Sequence, residues 1–373
     1  MRIGIDARIC GINHGGIGRY VLELCQNVPK LDPQNQYLIF YREDDPSGSQ
    51  ALLESLPANA QPVPVRIRHY SIKEQLHFYK ILDRSNLDLV HFPNFNVSFL
   101  YRGPFVVTIH DLAHHKISGH KKSHLLHFWA YKKIIQNAAD RAKTIITVSQ
   151  ASKNDIVKYL RQPAEKITVI YEGASLPTQV EDARLAEIKK NYRLSRPYFL
   201  FVGVLERKKN LISLTRGFDE FIQKNRLDFD LVVVGKSDKH YPGIRHSALD
   251  IRARDRLVFC GAVEDAELAA LYKGAYAFAS ASVHEGFGLP GVEAMRFGLP
   301  LVVSNTEAFN EIYDNAAVYF NPLDPGDIAE KMRLLAEDRD FYKQVAARSA
   351  GRASLFSWEK MARETLSVYQ ATL

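Results

Sequence analysis

Two glutamates, Glu285 and Glu293, stand eight residues apart in "EGFGLPGVEAM", with Gly286, Gly288 and Pro290 between them. Carboxylates accept hydrogen bonds from hydroxyls. Glycines at a helix start let backbone N–H groups approach an anion where the helix dipole favours negative charge. Together they could floor a site for a phosphorylated sugar. The plain alternative is a helix start: Pro290 suits the first helical position, and Glu293, read in or near the first turn, is favoured there by capping and dipole. Glu285 has no such explanation, because it lies in the loop before the helix.

Three more stretches pair chemistry with a helix or strand end. In "GIDARICGINHGGIGRYVLEL", Gly15 and Gly16 open a helix with apolar residues at Ile17, Tyr20, Val21, Leu24 and Val28. The spacing is not the G-x-G-x-x-G dinucleotide fingerprint, so the choice lies between an anion-binding turn and an ordinary flexible one. In "VVTIHDL", His110 and Asp111 follow a strongly apolar run. His110 fits a hydrogen-bonding partner to substrate. A metal site with His114 is conceivable, but no recognised ligand spacing supports it. In "FVGVLERKKNLISL", the cations Arg207, Lys208 and Lys209 precede a helix, where they oppose its dipole. A bound diphosphate would relieve that conflict; a solvated basic loop is the alternative.

These residues need elements to hold them. Short β-branched runs alternate with amphipathic stretches, the pattern of parallel sheets covered by helices. Strands are expected at 2–6, 37–41, 89–92, 105–110, 144–149 and 167–171, then at 198–204, 231–235, 257–262, 276–280 and 301–305. The polar segment 174–197 separates the two series, which predicts two doubly wound α/β domains, 1–178 and 179–356, and the closing segment 357–373 reads as a further helix. Ligands of such sheets bind beyond the carboxyl ends of the strands. A crevice between the two domains is therefore the expected site. The sequence "DFD" at Asp228–Asp230 precedes a strand, at the wrong end for a metal-diphosphate site. Ser357 is a plausible N-cap for the last helix, with Glu359 in its first turn.

At 373 residues the chain is long for one core, and 46% hydrophobic with 24% charged residues is a globular composition. No run reaches the roughly 20 apolar residues of a membrane helix. The opening "MRIGIDAR" is unlike a secretory signal, and three scattered cysteines fit a reduced, cytoplasmic setting. The net charge of +7 favours acidic partners without choosing among nucleotides, phosphorylated carriers, anionic membranes and nucleic acid.

Taken together, the chain resembles the family-four retaining glycosyltransferases of GT-B architecture. The E-x7-E motif (Glu285 to Glu293), "GGIGRY", "HD", "RKKNL", "VFCGAVEDAELAALY" and "FSWEKMARETL" occur in the family's order over nearly the whole length. The resemblance implies two Rossmann-like domains facing across a crevice, with the last helix returning to the first. The first domain would lie on the acceptor side, and the second would bind the nucleotide-sugar.

The resemblance also implies roles for single residues. Gly15 and Gly16 would lie against the donor's diphosphate, and Lys209 would neutralise it. Glu285 would bind the donor sugar's hydroxyls, with Gly286 and the backbone of Phe287, Gly288 and Leu289 on sugar and phosphate. Glu293 would hold the ribose, and His110 would contact the sugar near its anomeric centre. Val263 and Asp265 would border the base. Where relatives often carry Arg-Lys-Asn, this chain has Lys208-Lys209-Asn210 with Arg207 one place earlier. Either Arg207 or Lys208 could then serve the diphosphate, the lysine as a point charge and not a planar fork.

The implied reaction is retaining transfer of a hexosyl group, from GDP-mannose first or a UDP-hexose next, without metal or cofactor. The acceptor would be a hydroxyl of a glycan or lipid-linked molecule. Residues 116–135, "KISGHKKSHLLHFWAYKKII", mix cations with Leu, Phe and Trp, so they could touch an anionic membrane or pack into the core. The rival readings are a non-catalytic nucleotide-binding protein and a nucleotide-sugar epimerase on the same architecture. A nucleic-acid binder finds no support, since the basic residues are not gathered with aromatics in any recognised module.

Overall fold

The strands form where β-branched and aromatic residues run together, and each is parallel to its neighbours. A computed structural model of the chain describes residues 1–11, 15–116, 125–225, 227–238, 241 and 243–373. It divides into two units, one of Met1–Gly173 with Ser357–Leu373 and one of Ala174–Phe356.

The first unit carries β1 (Arg2–Asp6), β2 (Gln36–Arg42), β3 (Ala60–Val65), β4 (Leu89–Phe92), β5 (Phe105–Thr108), β6 (Thr144–Thr147) and β7 (Ile167–Val169). Their order across the sheet is β3-β2-β1-β4-β5-β6-β7. The second unit carries β8 (Tyr198–Val202), β9 (Asp230–Val234), β10 (Leu257–Gly261), β11 (Ala277–Ser280), β12 (Leu301–Ser304) and β13 (Ala317–Phe320), ordered β10-β9-β8-β11-β12-β13. Both sheets reverse direction of growth once, between β1 and β4 and between β8 and β11. Such switch points leave a crevice beyond the strand ends, where ligands of doubly wound sheets bind.

β3 and β13, which the hydrophobic pattern does not single out, are both edge strands. The sequence of β3, "AQPVPV", puts prolines at alternate positions. Proline has no N–H to donate, so it is tolerated at a sheet edge and not inside one.

In the second unit three adjacent strands end at glycines, Gly203, Gly235 and Gly261. At Gly235, with φ +143°, a Cβ would fall 1.9 Å from the Gly203 carbonyl oxygen. The close approach of these two strand ends requires a residue without a side chain.

The terminal helix, Trp358–Thr372, is capped by Ser357, whose hydroxyl accepts from the Lys360 N–H at 3.4 Å. It packs against the helix Gly15–Leu31 and buries Trp358, Met361, Ala362, Thr365, Val368 and Tyr369. Burying each large apolar side chain contributes about 1.5–3 kcal/mol. A polar thread runs through this contact. Tyr369 Oη lies 2.6 Å from His91 Nδ1, His91 Nε2 lies 2.8 Å from Thr108 Oγ1, and Thr108 Oγ1 lies 3.1 Å from Tyr20 Oη. Burial pushes His91 down to about 3, with His110 acting in the same direction. Gly173 lies so close to the helix start that a Cβ there would sit 2.3 Å from the Trp358 nitrogen.

Candidate functional site

In the second unit the site grows from the switch point. β8 ends, and the chain makes a 3-10 turn, Arg207–Lys209, closed by Asn210 in the left-handed region at φ +50° before the helix Leu211–Asn225 begins. The cations therefore precede the helix across a turn and do not occupy its first turn. Asn210 is tied down by donating to the Pro322 carbonyl at 2.8 Å. Beyond neighbouring β11, the Val283 N–H donates to the Lys208 carbonyl at 2.9 Å. The two loops are thus joined backbone to backbone.

This junction places Lys209 Nζ 2.6 Å from Glu285 Oε1, with the side chains only 14% and 9% exposed. Burial alone would raise the Glu285 carboxyl. The charges of Lys209 and Lys208, with hydrogen bonds from Lys209 and Ser282, outweigh it and hold the group below its ordinary value. Glu285 is therefore an ionised, acceptor-only group suited to hydroxyls. Lys208 Nζ lies 3.6 Å from Glu206, while Arg207 is exposed.

The loop after Glu285 enters the helix Leu289–Arg296 through Gly288, at φ +95°. Tyr313 donates to the Gly288 carbonyl at 2.6 Å, and a Cβ on Gly288 would lie 2.2 Å from the Tyr313 oxygen. Only glycine satisfies both the backbone angle and this approach. Gly286, Phe287, Gly288 and Leu289 are all buried.

Glu293 lies beyond the first turn, which contains no acid. The capping explanation entertained for it is therefore corrected, since a side chain a full turn inside the helix does not meet the unpaired N–H groups at its start. Its Oε2 instead lies 3.0 Å from the Tyr272 hydroxyl, which is also 3.0 Å from the Pro290 carbonyl. Tyr272 belongs to the helix Asp265–Gly274, which opens with the exposed Asp265 just after the half-buried Val263. One helix thus carries both the expected base-side acid and the partner of Glu293.

In the first unit, His110 leaves the sheet two residues beyond β5 and is 10% exposed at its side chain. Nδ1 lies 3.1 Å from Glu172 Oε1 and Nε2 lies 3.0 Å from the Pro93 carbonyl. The ring of Tyr20 meets it edge-on at 4.8 Å. Gly15 and Gly16 open the helix Gly15–Leu31 and are exposed, with Gly15 at φ +58°. Residues 12–14 before them lie outside the described residues, as does the side chain of His114, named above as a conceivable metal ligand beside His110.

Sequence reasoning did not find Glu172, Tyr272, Ser282 or Tyr313. Glu172, Tyr272 and Tyr313 touch motif residues 62, 21 and 25 positions away, which no local spacing signals, while Ser282 lies only three residues before Glu285 in a run of small residues that marks no partner.

Asp228 and Asp230 sit at the amino end of β9, where Arg196 Nε lies 2.8 Å from Asp228 and Arg256 Nη1 lies 2.5 Å from it. They are paired with arginines there. Among the described residues one trio, Asp6, His69 and Glu74, brings potential metal ligands within 4.8 Å of one another. Arg8 already donates to Asp6 at 2.7 Å and to Glu74 at 2.8 Å and lies 3.6 Å over the Phe78 ring. Asp6 and Glu74 are thus a buried carboxylate pair held by an arginine, with half-buried His69 beside them. Burial drives the Glu74 carboxyl up to about 7 against the pull of Arg8, with Asp6 adding to the rise.

Comparison with known proteins gives a consistent result. Residues 14–176 match the sequence model of the family described as Glycosyltransferase Family 4, and residues 184–352 match that described as Glycosyl transferases group 1. The chain is 26% identical over 374 residues to an O-antigen chain mannosyltransferase B of Escherichia coli, covering 95% of this chain and 96% of that protein. It is 30% identical over 194 residues to the O-antigen chain mannosyltransferase RfbU of Salmonella typhimurium, covering 52% of this chain and 51% of that one. Among solved structures, Anabaena HepE, determined in complex with UDP and glucose, superposes with a TM-score of 0.80 at 16% identity over 100% of both chains.

Proposed function

The chain belongs to the GT-B glycosyltransferases, and we propose that it transfers a mannosyl group from GDP-mannose, with retention and without a metal. A UDP-hexose is the second choice of donor. The acceptor is a hydroxyl of a glycan or lipid-linked molecule in surface-polysaccharide assembly. The mannosyl choice is supported by the two O-antigen mannosyltransferases that the chain resembles.

The observation that carries the reading is the Lys209–Glu285 pair beyond β8 and β11. Transfer breaks the bond between the anomeric carbon and the diphosphate, which leaves with the electron pair. A new bond forms from the acceptor oxygen, whose proton passes to the departing phosphate oxygen. Lys209, with Arg207 or Lys208 beside it, neutralises the charge gathering on that leaving group without a metal. Glu285 and the loop backbone of Gly286–Leu289 bind the sugar, and Glu293 binds the ribose. Val263 and Asp265 border the base, and Gly15 and Gly16 approach the diphosphate. In this reading residues 1–178 with 357–373 serve the acceptor and 179–356 the donor. Because Glu285 is held ionised, it suits the gripping of hydroxyls and not the donation of a proton to a glycosidic oxygen, which counts against a glycosidase-like acid.

The test is thermal unfolding with GDP, UDP, ADP and NAD, each with and without a chelator. A ligand at 100 times its Kd adds about 2.7 kcal/mol to the folded state. Stabilisation by GDP that survives the chelator is expected. A response to UDP alone moves the donor to a UDP-hexose; silence with all four, or a response to NAD alone, overturns the reading.

Peripheral contact with an anionic membrane is part of the same proposal. Among the described residues no helix is long and apolar enough to cross a membrane. Residues 117–124 of the basic stretch lie outside the described residues; beyond them Trp129 is 61% exposed while Ile135 is fully buried, so that helix serves the core on one side only. Ile72, Leu76, Phe99 and Leu100 are also exposed, among exposed Lys73 and Arg102. Gln75, in the helical segment Glu74–Phe78, joins the two stretches by accepting from Ser98 Oγ at 2.7 Å and from the Phe99 N–H at 3.1 Å. Pelleting with vesicles rich in anionic lipid is expected at low salt and should weaken several-fold at 0.5 M salt. Absence of pelleting at low salt would count against membrane contact.

A further inference from the structure

We propose that Glu172 is a positioning residue for transfer, acting through His110; the inference rests on the reading that His110 meets the donor sugar. Glu172 follows β7 and His110 follows β5, 62 residues apart in sequence. They meet because β6 alone separates their strands. Both side chains are buried, Glu172 to 6% and His110 to 10% exposure.

The bonding pattern restricts what the ring can do. The Pro93 carbonyl can only accept, so Nε2 must carry a proton to bond it. Glu172 facing Nδ1 is a second acceptor when ionised. A single proton between Nδ1 and the carboxyl completes the second bond, and the two bonds together fix the plane of the ring. What Glu172 supplies is therefore orientation: it leaves an Nε2–H held at a set position and angle.

The two bonds differ in how readily they are exchanged. A bond to a neutral backbone carbonyl is weaker than one to a carboxylate, so the Pro93 bond is the more readily exchanged. When a sugar hydroxyl arrives, Nε2–H is the group released to it, while Glu172 keeps hold of Nδ1. The remaining surroundings fix the ring: Tyr20 packs edge-on at 4.8 Å, and Ser152 Oγ donates to the His110 carbonyl at 2.9 Å. Glu172 is itself anchored by its neighbour Gly173, pressed against Trp358.

The experiment is a double-variant cycle on GDP-mannose turnover, with GDP affinity measured alongside. His110→Ala is expected to lower kcat about 100-fold and Glu172→Ala about 10- to 100-fold, with GDP affinity within threefold of the parent. In the His110→Ala background, Glu172→Ala should cost less than about threefold, because its route to the substrate is already gone. Glu172→Gln, which keeps an acceptor but not the charge, should fall between Glu172→Ala and the parent. It also serves as the second variant if Glu172→Ala folds poorly. An equal loss from Glu172→Ala in both backgrounds, or a kcat within twofold of the parent, overturns the positioning role. Full activity in His110→Ala brings down the assignment of His110 itself, and this inference with it.

Discussion

Lys209→Met is expected to lower kcat by about 10²–10³-fold, and separately to destabilise the second unit by about 3 kcal/mol. The two losses have different origins. Catalytically, the variant removes the cation proposed above to meet the leaving diphosphate. Structurally, it strands Glu285, whose carboxylate lies 2.6 Å from the ammonium in a mostly buried setting. An unpartnered buried charge is the expensive outcome, whereas removing both charges is often close to neutral. The double variant Lys209→Met/Glu285→Gln should therefore recover most of the stability and none of the activity. Chemical unfolding and steady-state turnover on the three proteins check this. A double variant that regained turnover would remove both residues from the reaction.

The same pair gives a pH signature with a definite sign. Glu285 is held below its ordinary value of 4.5, so its contribution to stability is fully present above that pH. It is lost as the pH falls through the lower folded value, when the proton displaces the Lys209 contact.

The second large effect concerns acid and the first unit. His91 titrates near 3 when folded and near 6.5 when exposed. Its stabilising contribution is intact above pH 6.5 and drains away as the pH falls toward 3, because the unfolded chain takes the proton first. At pH 4.5 the loss amounts to about 3 kcal/mol, a large share of the ~5–15 kcal/mol typical of a domain. Glu74 works the other way. With a folded value of about 7, it favours the folded state as the pH drops from 7 toward 4.5. His91→Gln should accordingly be less stable than the parent at pH 8, where it loses bonds to Tyr369 and Thr108. Its melting temperature should nonetheless rise between pH 6.5 and 4.5, where the opposed contributions of His91 and Glu74 leave the parent's nearly level. Parallel profiles in the two proteins would show that His91 is not the acid-sensitive group.

How much of this was legible beforehand depends on whether the signal was local. β1 and β4 run from 2 to 6 and from 89 to 92, as their apolar runs indicate, because buried parallel strands read as continuous hydrophobic stretches. β3 was hidden by its prolines and β13 by its short, half-exposed sequence, and both occupy edges where the burial signal fades. The run at 105–110 overstated β5, since the apolar Ile109 is buried beyond the last paired residue, Thr108. At the site, residue types and strand ends pointed to Lys209, Glu285 and His110, but their partners were out of reach. Glu285 meets Lys209 across 76 positions and His110 meets Glu172 across 62. Only the strand order brings such residues together, and a single sequence does not spell that order out. Glu293 shows the opposite error, in which a plausible local explanation concealed a long-range partner, Tyr272.

The terminal helix bears on how the protein is made. A ribosome that has finished Gly173 has produced every strand of the first unit, yet the face of the helix Gly15–Leu31 that will receive Trp358–Thr372 is still bare. Roughly 200 residues must follow before that helix emerges, about 10–40 s at ordinary translation rates. During that interval the second unit, one continuous segment with its own core, can finish folding. The half synthesised first is thus completed last. For that interval its uncovered apolar face is a natural client for chaperones, and a nonsense codon just upstream of residue 357 would leave it permanently in that state.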